Sequence, residues 1–121
     1  MVYKDEYVLA FMDISPVNQG HLLVIPKNHY AYLSEVPEEI AARMFTIGQK
    51  LAKAIRKSGL KCEGINFFLA DGEAAFQEVF HSHLHVFPRF KGDPFKIDAD
   101  WSFSPTREEL DEVAKRIRCS F

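Results

Sequence analysis

The order of apolar and polar positions divides this chain into short strands and two amphipathic helices. Tyr7-Val8-Leu9-Ala10-Phe11-Met12-Asp13-Ile14 reads as a strand, closed by the turn-forming run Ser15-Pro16-Val17-Asn18-Gln19-Gly20. His21 to Pro26 is almost continuously apolar, which predicts a strand covered on both faces, with Pro26 stopping it. From Pro37 to about Lys57, Ile40, Met44, Ile47, Leu51 and Ala54 recur at helical spacing and predict one buried stripe. Pro37 suits a first helical position, Glu38 and Glu39 suit the positive N-terminal end, and Arg56 and Lys57 suit the last turn before Gly59. Gly64 to Ala70 reads as a third strand and Asp71 to Ala75 as the turn after it. Val79 to Pro88 is then a fourth strand, antiparallel to the third. Thr106-Arg107-Glu108-Glu109 is a capping box opening a last helix, whose stripe is Leu110, Val113, Ala114 and Ile117. Strands with two helices and no repeat predict an α+β domain on an antiparallel sheet.

Composition narrows the function classes. At 121 residues, 47% hydrophobic and 26% charged, the chain is expected to form one soluble domain, residues 1–121. A formal charge of −2 gives no electrostatic case for nucleic acid or an anionic membrane, so any polyanionic ligand must be held by a local site. Cys62 and Cys119 form no CxxC pair and read as thiols of a reducing compartment. The opening Met1-Val2-Tyr3-Lys4-Asp5-Glu6 has no apolar signal core, and no stretch reaches the roughly 20 apolar residues of a membrane span. A cytoplasmic location is expected.

The chemistry concentrates in His81-Ser82-His83-Leu84-His85-Val86-Phe87. On a strand, side chains alternate between faces, so all three imidazoles would point the same way, about 6.6–7 Å apart. Imidazole is suited to nucleophilic, acid–base and ligand roles near neutral pH. Three imidazoles could hold zinc, but ligand nitrogens around zinc lie about 3.4 Å apart, and three in a row converge poorly. No early carboxylate follows His85 to complete such a site. A neutral imidazole can instead attack phosphorus, with flanking histidines as hydrogen-bond donors. The plain alternative is three strand histidines without a role.

These residues carry a family resemblance. The chain resembles the histidine-triad (HIT) superfamily of nucleotide hydrolases and transferases. The motif His-x-His-x-His plus two apolar residues is matched by His81, His83, His85, Val86 and Phe87. Asp13 to His29 is similar to the family's strand-turn-strand segment, and Asp71 to Val79 to the stretch leading into the triad. Pro88-Arg89 recurs in the dinucleoside-polyphosphate branch.

The resemblance implies a HIT-like meander of about five antiparallel strands with two helices, and a homodimer joined through a long helix and an extended sheet. It implies attack by His83 on the α-phosphorus of a nucleotide, purine by expectation, with a nucleotidyl-histidine intermediate and no cofactor. His85 and His81 would contact phosphate and leaving group and orient the ring. His21 would hydrogen-bond to the triad and fix its tautomers. Gln77 would hold a phosphate oxygen, Asp13 the ribose hydroxyls, and Phe11 and Ile14 the base. Asn66 could bridge sheet and site, or be a buried structural amide. Arg89 could meet distal phosphates or be a solvated charge, and His29 reads as a loop residue. Dinucleoside polyphosphates are the expected substrates; the alternatives are a purine-nucleoside phosphoramidase and a nucleotide-binding module with little turnover.

The chain departs from the family pattern in places. Phe76 stands where glycine commonly precedes the glutamine, which removes positive-φ freedom and adds bulk beside the phosphate site. Ala70 replaces a residue that is often polar. Many bacterial members carry an N-terminal CxxC that joins histidines around structural zinc. This chain has no such pair, and no metal is expected.

Overall fold

The computed structural model describes residues 1–121. Five strands form one antiparallel sheet: β1 (Tyr3–Lys4), β2 (Val8–Met12), β3 (Leu22–Pro26), β4 (Gly64–Phe68) and β5 (Leu84–Arg89), in the order β1-β2-β3-β5-β4. Helices α1 (Glu38–Lys57) and α2 (Arg107–Ser120) complete the α+β fold. No helix is long and apolar enough to cross a membrane.

The core lies between α1 and one face of the sheet. Val8, Ala10, Leu22, Val24, Leu84 and Val86 alternate inward from β2, β3 and β5, and meet Met44, Ile47, Leu51 and Ile55 of α1. Gly48 lets the helix sit close, since a Cβ there would come within 3.2 Å of Leu84. Two details differ from the sequence reading. Pro37 is the N-cap, with ψ 143, not the first helical residue. The last inward position of α1 is Ile55, and Ala54 is exposed. A stripe read from the middle of a helix drifts by one residue at its end.

β1 is too short to read from sequence. Asp5 turns it into β2: one carboxylate oxygen accepts from the Tyr7 and Val8 amides, the other from Tyr3 Oη and Arg43 Nε of α1. Burial pushes the Asp5 pKa up, but these donors outweigh it and hold the carboxyl well below the usual range.

The strands are shorter than expected, and this matters most at the histidines. β5 begins at Leu84, so only His85 of the triad is on a regular strand; His81 and His83 lie in the extended segment before it. β3 is not covered on both faces, since Leu23 and Ile25 are only half-buried. Its second face belongs to the open side of the sheet, where no helix packs.

Register builds that open side. Phe11 pairs with Leu23, Leu23 with His85, and His85 with Phe68, which makes one row across four strands. Asp13 and His21 continue the same faces two residues on, joined by the bond from Asp13 N to His21 O at 2.9 Å. Two positions further along β5, Phe87 pairs with Asn66. After Asp93 the chain leaves the sheet. α2 is capped as its sequence predicts, Thr106 Oγ1 accepting from Glu109 N at 3.1 Å, yet no residue of α2 is buried.

Candidate active site

The rings of His21, His83 and His85 converge at the open end of the β3–β5 pair. His21 Nε2 lies 2.9 Å from His85 Nδ1, and the rings of His83 and His85 stand 4.9 Å apart at 65°. His81 and His83 also line a cleft of about 340 Å³ with Phe11, Leu23, Ile25 and Val79.

Backbone groups decide which ring nitrogens carry protons. An amide N–H can only donate and a carbonyl can only accept, so each fixes the nitrogen facing it. Val17 N donates to His21 Nδ1 at 3.0 Å, so the His21 proton is on Nε2. Nε2–H then donates to His85 Nδ1, which leaves the His85 proton on its own Nε2. His83 Nδ1 faces the carbonyl of His81 at 2.7 Å and must donate to it. His83 Nε2 therefore keeps a free lone pair. His81 Nε2 donates to Pro26 O at 3.0 Å, leaving its Nδ1 to face His29 Nδ1 at 3.4 Å.

Electrostatics agree with neutral rings at His21 and His85. Burial lowers the His21 pKa, against an upward pull from Asp13. Burial also lowers that of His85 to about 4, helped by His83 and His21 and opposed by Asp13. Asp13 Oδ2 lies 3.5 Å from His21 Nε2, while its Oδ1 accepts from Ser15 N at 2.8 Å and starts the turn.

Several expected positions are occupied differently. His81 offers no free ring nitrogen to a phosphate; its carbonyl, not its imidazole, orients His83. Ile14 is 98% exposed and forms no wall. Leu23, Ile25 and Val79 line the cleft with Phe11 instead. Gln77 is 3% exposed, and both its amide hydrogens are used on Ala31 O and Val79 O, while Oε1 accepts from Gly72 N. It brackets the 72–79 loop and presents no spare donor. Asn66 accepts from Arg89 Nη1 at 2.7 Å, and Arg89 also grips Asp93 through Nε and Nη2. Arg89 is therefore half-buried and tied down, not free for phosphate. Phe76 keeps the left-handed backbone of a glycine, φ 74, with its ring 80% exposed, so its bulk is turned outward. Ala70 is buried. The cleft residues Leu23 and Ile25 were within reach of strand parity; nothing in the sequence marks the amide of Val17 or the carbonyls of Pro26 and His81.

Asp13, His21 and His85 place ligand-type atoms within 4.8 Å of one another. To bind an ion, His21 Nε2 would need a lone pair, which would move its proton to Nδ1 and against the Val17 amide. The set fits a hydrogen-bonded relay, not a metal. Structural zinc would need four ligands. His29 and His81 supply two ring nitrogens, while Cys62 contacts Gly64 O and Cys119 is exposed on α2, so these residues do not make a zinc site.

A family model described as the HIT domain matches residues 1–92. "Protein hit" of Bacillus subtilis is 44% identical over 121 residues, covering 96% of this chain and 81% of that protein. A solved HIT-family structure from B. subtilis superposes with a TM-score of 0.87 at 41% identity, covering 99% of this chain and 86% of that one. Shorter matches include an adenylylsulfatase of Arabidopsis thaliana, 36% identical over 92 residues, 76% of this chain and 46% of that protein. An adenosine 5'-monophosphoramidase of Saccharomyces cerevisiae is 39% identical over 86 residues, 71% of this chain and 51% of that protein.

Proposed function

The chain belongs to the HIT family, and from that premise we propose that it cleaves nucleotides at the α-phosphorus through a nucleotidyl-His83 intermediate. The observation that carries this reading is the bond from His83 Nδ1 to His81 O. It aims a lone pair on Nε2 outward and steadies the positive charge that the ring gains on attack. His83 Nε2 forms a bond to phosphorus as the bond to the leaving group breaks, its electron pair departing with that group. Water then attacks phosphorus, the pair returns to Nε2, the water's proton goes to solvent, and a nucleoside monophosphate leaves. His85 Nε2–H donates to a phosphate oxygen throughout. Asp13 Oδ2 accepts from the ribose, and Phe11, Leu23 and Ile25 bound the base.

The state of His85 favours dinucleoside polyphosphates. A neutral imidazole held in one tautomer gives a hydrogen bond more readily than a proton. A phosphate or sulfate leaving group departs as an anion, whereas an amine requires a proton. The named relatives span both kinds of leaving group, sulfate in one and amine in the other. A phosphoramidase is therefore the second reading. Gln77 supports the third, a binding module with slow turnover, because no amide hydrogen is spare for phosphate.

Rapid quenching with a labelled diadenosine polyphosphate should trap an acid-labile adduct that His83→Ala lacks. Full activity in that variant sinks the mechanism. Comparing polyphosphate with adenosine phosphoramidate turnover separates the first two readings, and tight nucleotide binding without an adduct selects the third.

We also propose that the protein acts as a homodimer. β4 is a sheet edge, and Phe67 of β4 and Phe45 of α1 are exposed beside each other, an apolar edge suited to a second copy. Sedimentation should show a dimer that Phe67→Arg dissociates.

A further inference from the structure

We propose that Asn18 and Asp93, which do not line the cleft, are positioning residues that set which ring nitrogens of His21 and His85 carry protons. The inference deepens the reading above and rests on His85 acting as a hydrogen-bond donor.

The donor that holds the arrangement is the amide of Val17, 3.0 Å from His21 Nδ1, and Asp13 Oδ2, 3.5 Å from His21 Nε2, favours the same proton position. Were that amide to turn away, His21 could carry its proton on either nitrogen, and His85 would follow. Val17 lies in the turn between β2 and β3, outside the sheet ladder. Asn18, the next residue, holds that turn. Its Nδ2 donates to Pro88 O at 2.9 Å and to Asp93 Oδ2 at 2.9 Å, while its carbonyl accepts from His21 N at 3.2 Å. Both amide hydrogens are spent on partners at the end of β5.

Asp93 is fixed in turn. It receives Arg89 Nε at 2.6 Å, Arg89 Nη2 at 3.0 Å and Phe90 N at 3.2 Å. Arg89 is itself tied to Asn66 Oδ1 and Phe95 O. The same cluster reaches the ring of His21 by a second route. Arg89 lies over Phe95, Phe95 packs on Phe87 at 5.1 Å, and Phe87 packs on His21 at 4.9 Å. Asn18 and Asp93 are both buried, where a misplaced carboxylate or amide is costly, so the geometry is held to a narrow range. One buried cluster thus grips both the amide that chooses the His21 proton and the ring that carries it.

Histidine-selective 15N labelling of the full chain reads ring protonation directly, without ligand or turnover. The unaltered protein should show single-tautomer signals, Nε2–H for His21 and His85 and Nδ1–H for His83. In Asn18→Ala and Asp93→Asn, recorded below each variant's melting transition, the His21 and His85 signals should move to the averages of exchanging tautomers. Turnover should fall roughly tenfold or more with KM changed little, since the lost interaction acts on the reacting phosphate. Asp93→Asn keeps the side-chain shape and carries the test if Asn18→Ala does not fold. Arg43→Gln, which breaks the separate ion pair with Asp5, should lower stability and leave the histidine signals in place. Unchanged His21 and His85 signals in a folded Asn18 or Asp93 variant overturn the inference, as does an equal shift in Arg43→Gln. If the unaltered protein cleaves no nucleotide, the proposed reaction fails while the tautomer comparison still decides this point.

Discussion

Helices α1 and α2 are built from the same signals and end in opposite situations. Both have acidic residues in the first turn, basic residues in the last and an apolar stripe at helical spacing. α1 buries Met44, Ile47, Gly48, Leu51 and Ile55 against the sheet, whereas α2 buries nothing and leaves Leu110, Val113 and Ile117 exposed. The difference shows what amphipathic patterning specifies. It defines a helix and a face, and the face acquires a partner only where the rest of the fold presents one. α1 follows the connection 27–37 from β3 and packs against β2, β3 and β5. α2 follows an irregular segment after the last strand, with Ile97, Trp101 and Phe103 also exposed. The HIT domain match ends at residue 92, and every residue that lines the cleft lies before that point, with the positioning residue Asp93 just past it.

The comparison breaks first on activity. His83→Ala should reduce turnover by about a thousandfold or more, whereas removal of residues 97–121 should leave the sheet folded and the His83 adduct still forming at low protein concentration. Loss of the adduct in the truncated chain would place part of the site in the arm.

Stability separates the helices next. Met44→Ala should cost roughly 2–5 kcal/mol by chemical denaturation, and Val113→Ala within about 0.5 kcal/mol. A Val113→Ala penalty that grows with protein concentration would show that a second copy covers α2.

The site should add a pH dependence that the arm lacks. The His85 pKa falls from 6.5 to about 4 on folding, so the folded state binds fewer protons between those values. Stability should be level above about pH 6.5, decline by up to roughly 3 kcal/mol toward pH 4, and change no further from this group below it. His85→Phe should reduce that decline, leaving the part that His21, also lowered by burial, adds, and truncation of α2 should not change it. Asp5 and Asp93, both held low in the folded state, add losses only at more acid pH.

The smallest effect concerns the loop before the triad. Phe76 occupies a left-handed conformation that costs a side chain about 1–2 kcal/mol. Phe76→Gly should stabilise the fold by about 0.5–1 kcal/mol, after the greater freedom of glycine when unfolded is offset. Turnover should hardly change, because the ring is exposed and does not line the cleft. A large gain in turnover would show instead that Phe76 obstructs the site.

Much of this was legible in the sequence, for local reasons. Period-two and helical spacing marked β2 to β5 and both helices, because burial of one face imposes those periods on any strand or helix that packs. The histidine run and its resemblance pointed to His21, His83 and His85 together. Other readings failed where local pattern does not decide. Ile14 looked like a wall residue and projects into solvent, because β2 ends at Met12. Gln77 looked available to phosphate, and Arg89 read as a phosphate contact or a solvated charge; Gln77 is consumed by Ala31 and Val79, and Arg89 by Asp93 and Asn66.

By itself the sequence determined β2 to β5 and the two helices, an apolar face on each helix, and the cluster of imidazoles with chemistry to offer. Only the tertiary structure decided the state of those imidazoles. A ring nitrogen takes or loses its proton according to the group opposite it, and here those groups are the amide of Val17 and the carbonyls of Pro26 and His81. Backbone groups are the same for nearly every residue type. Their direction is therefore written in the fold and in no side chain of the sequence.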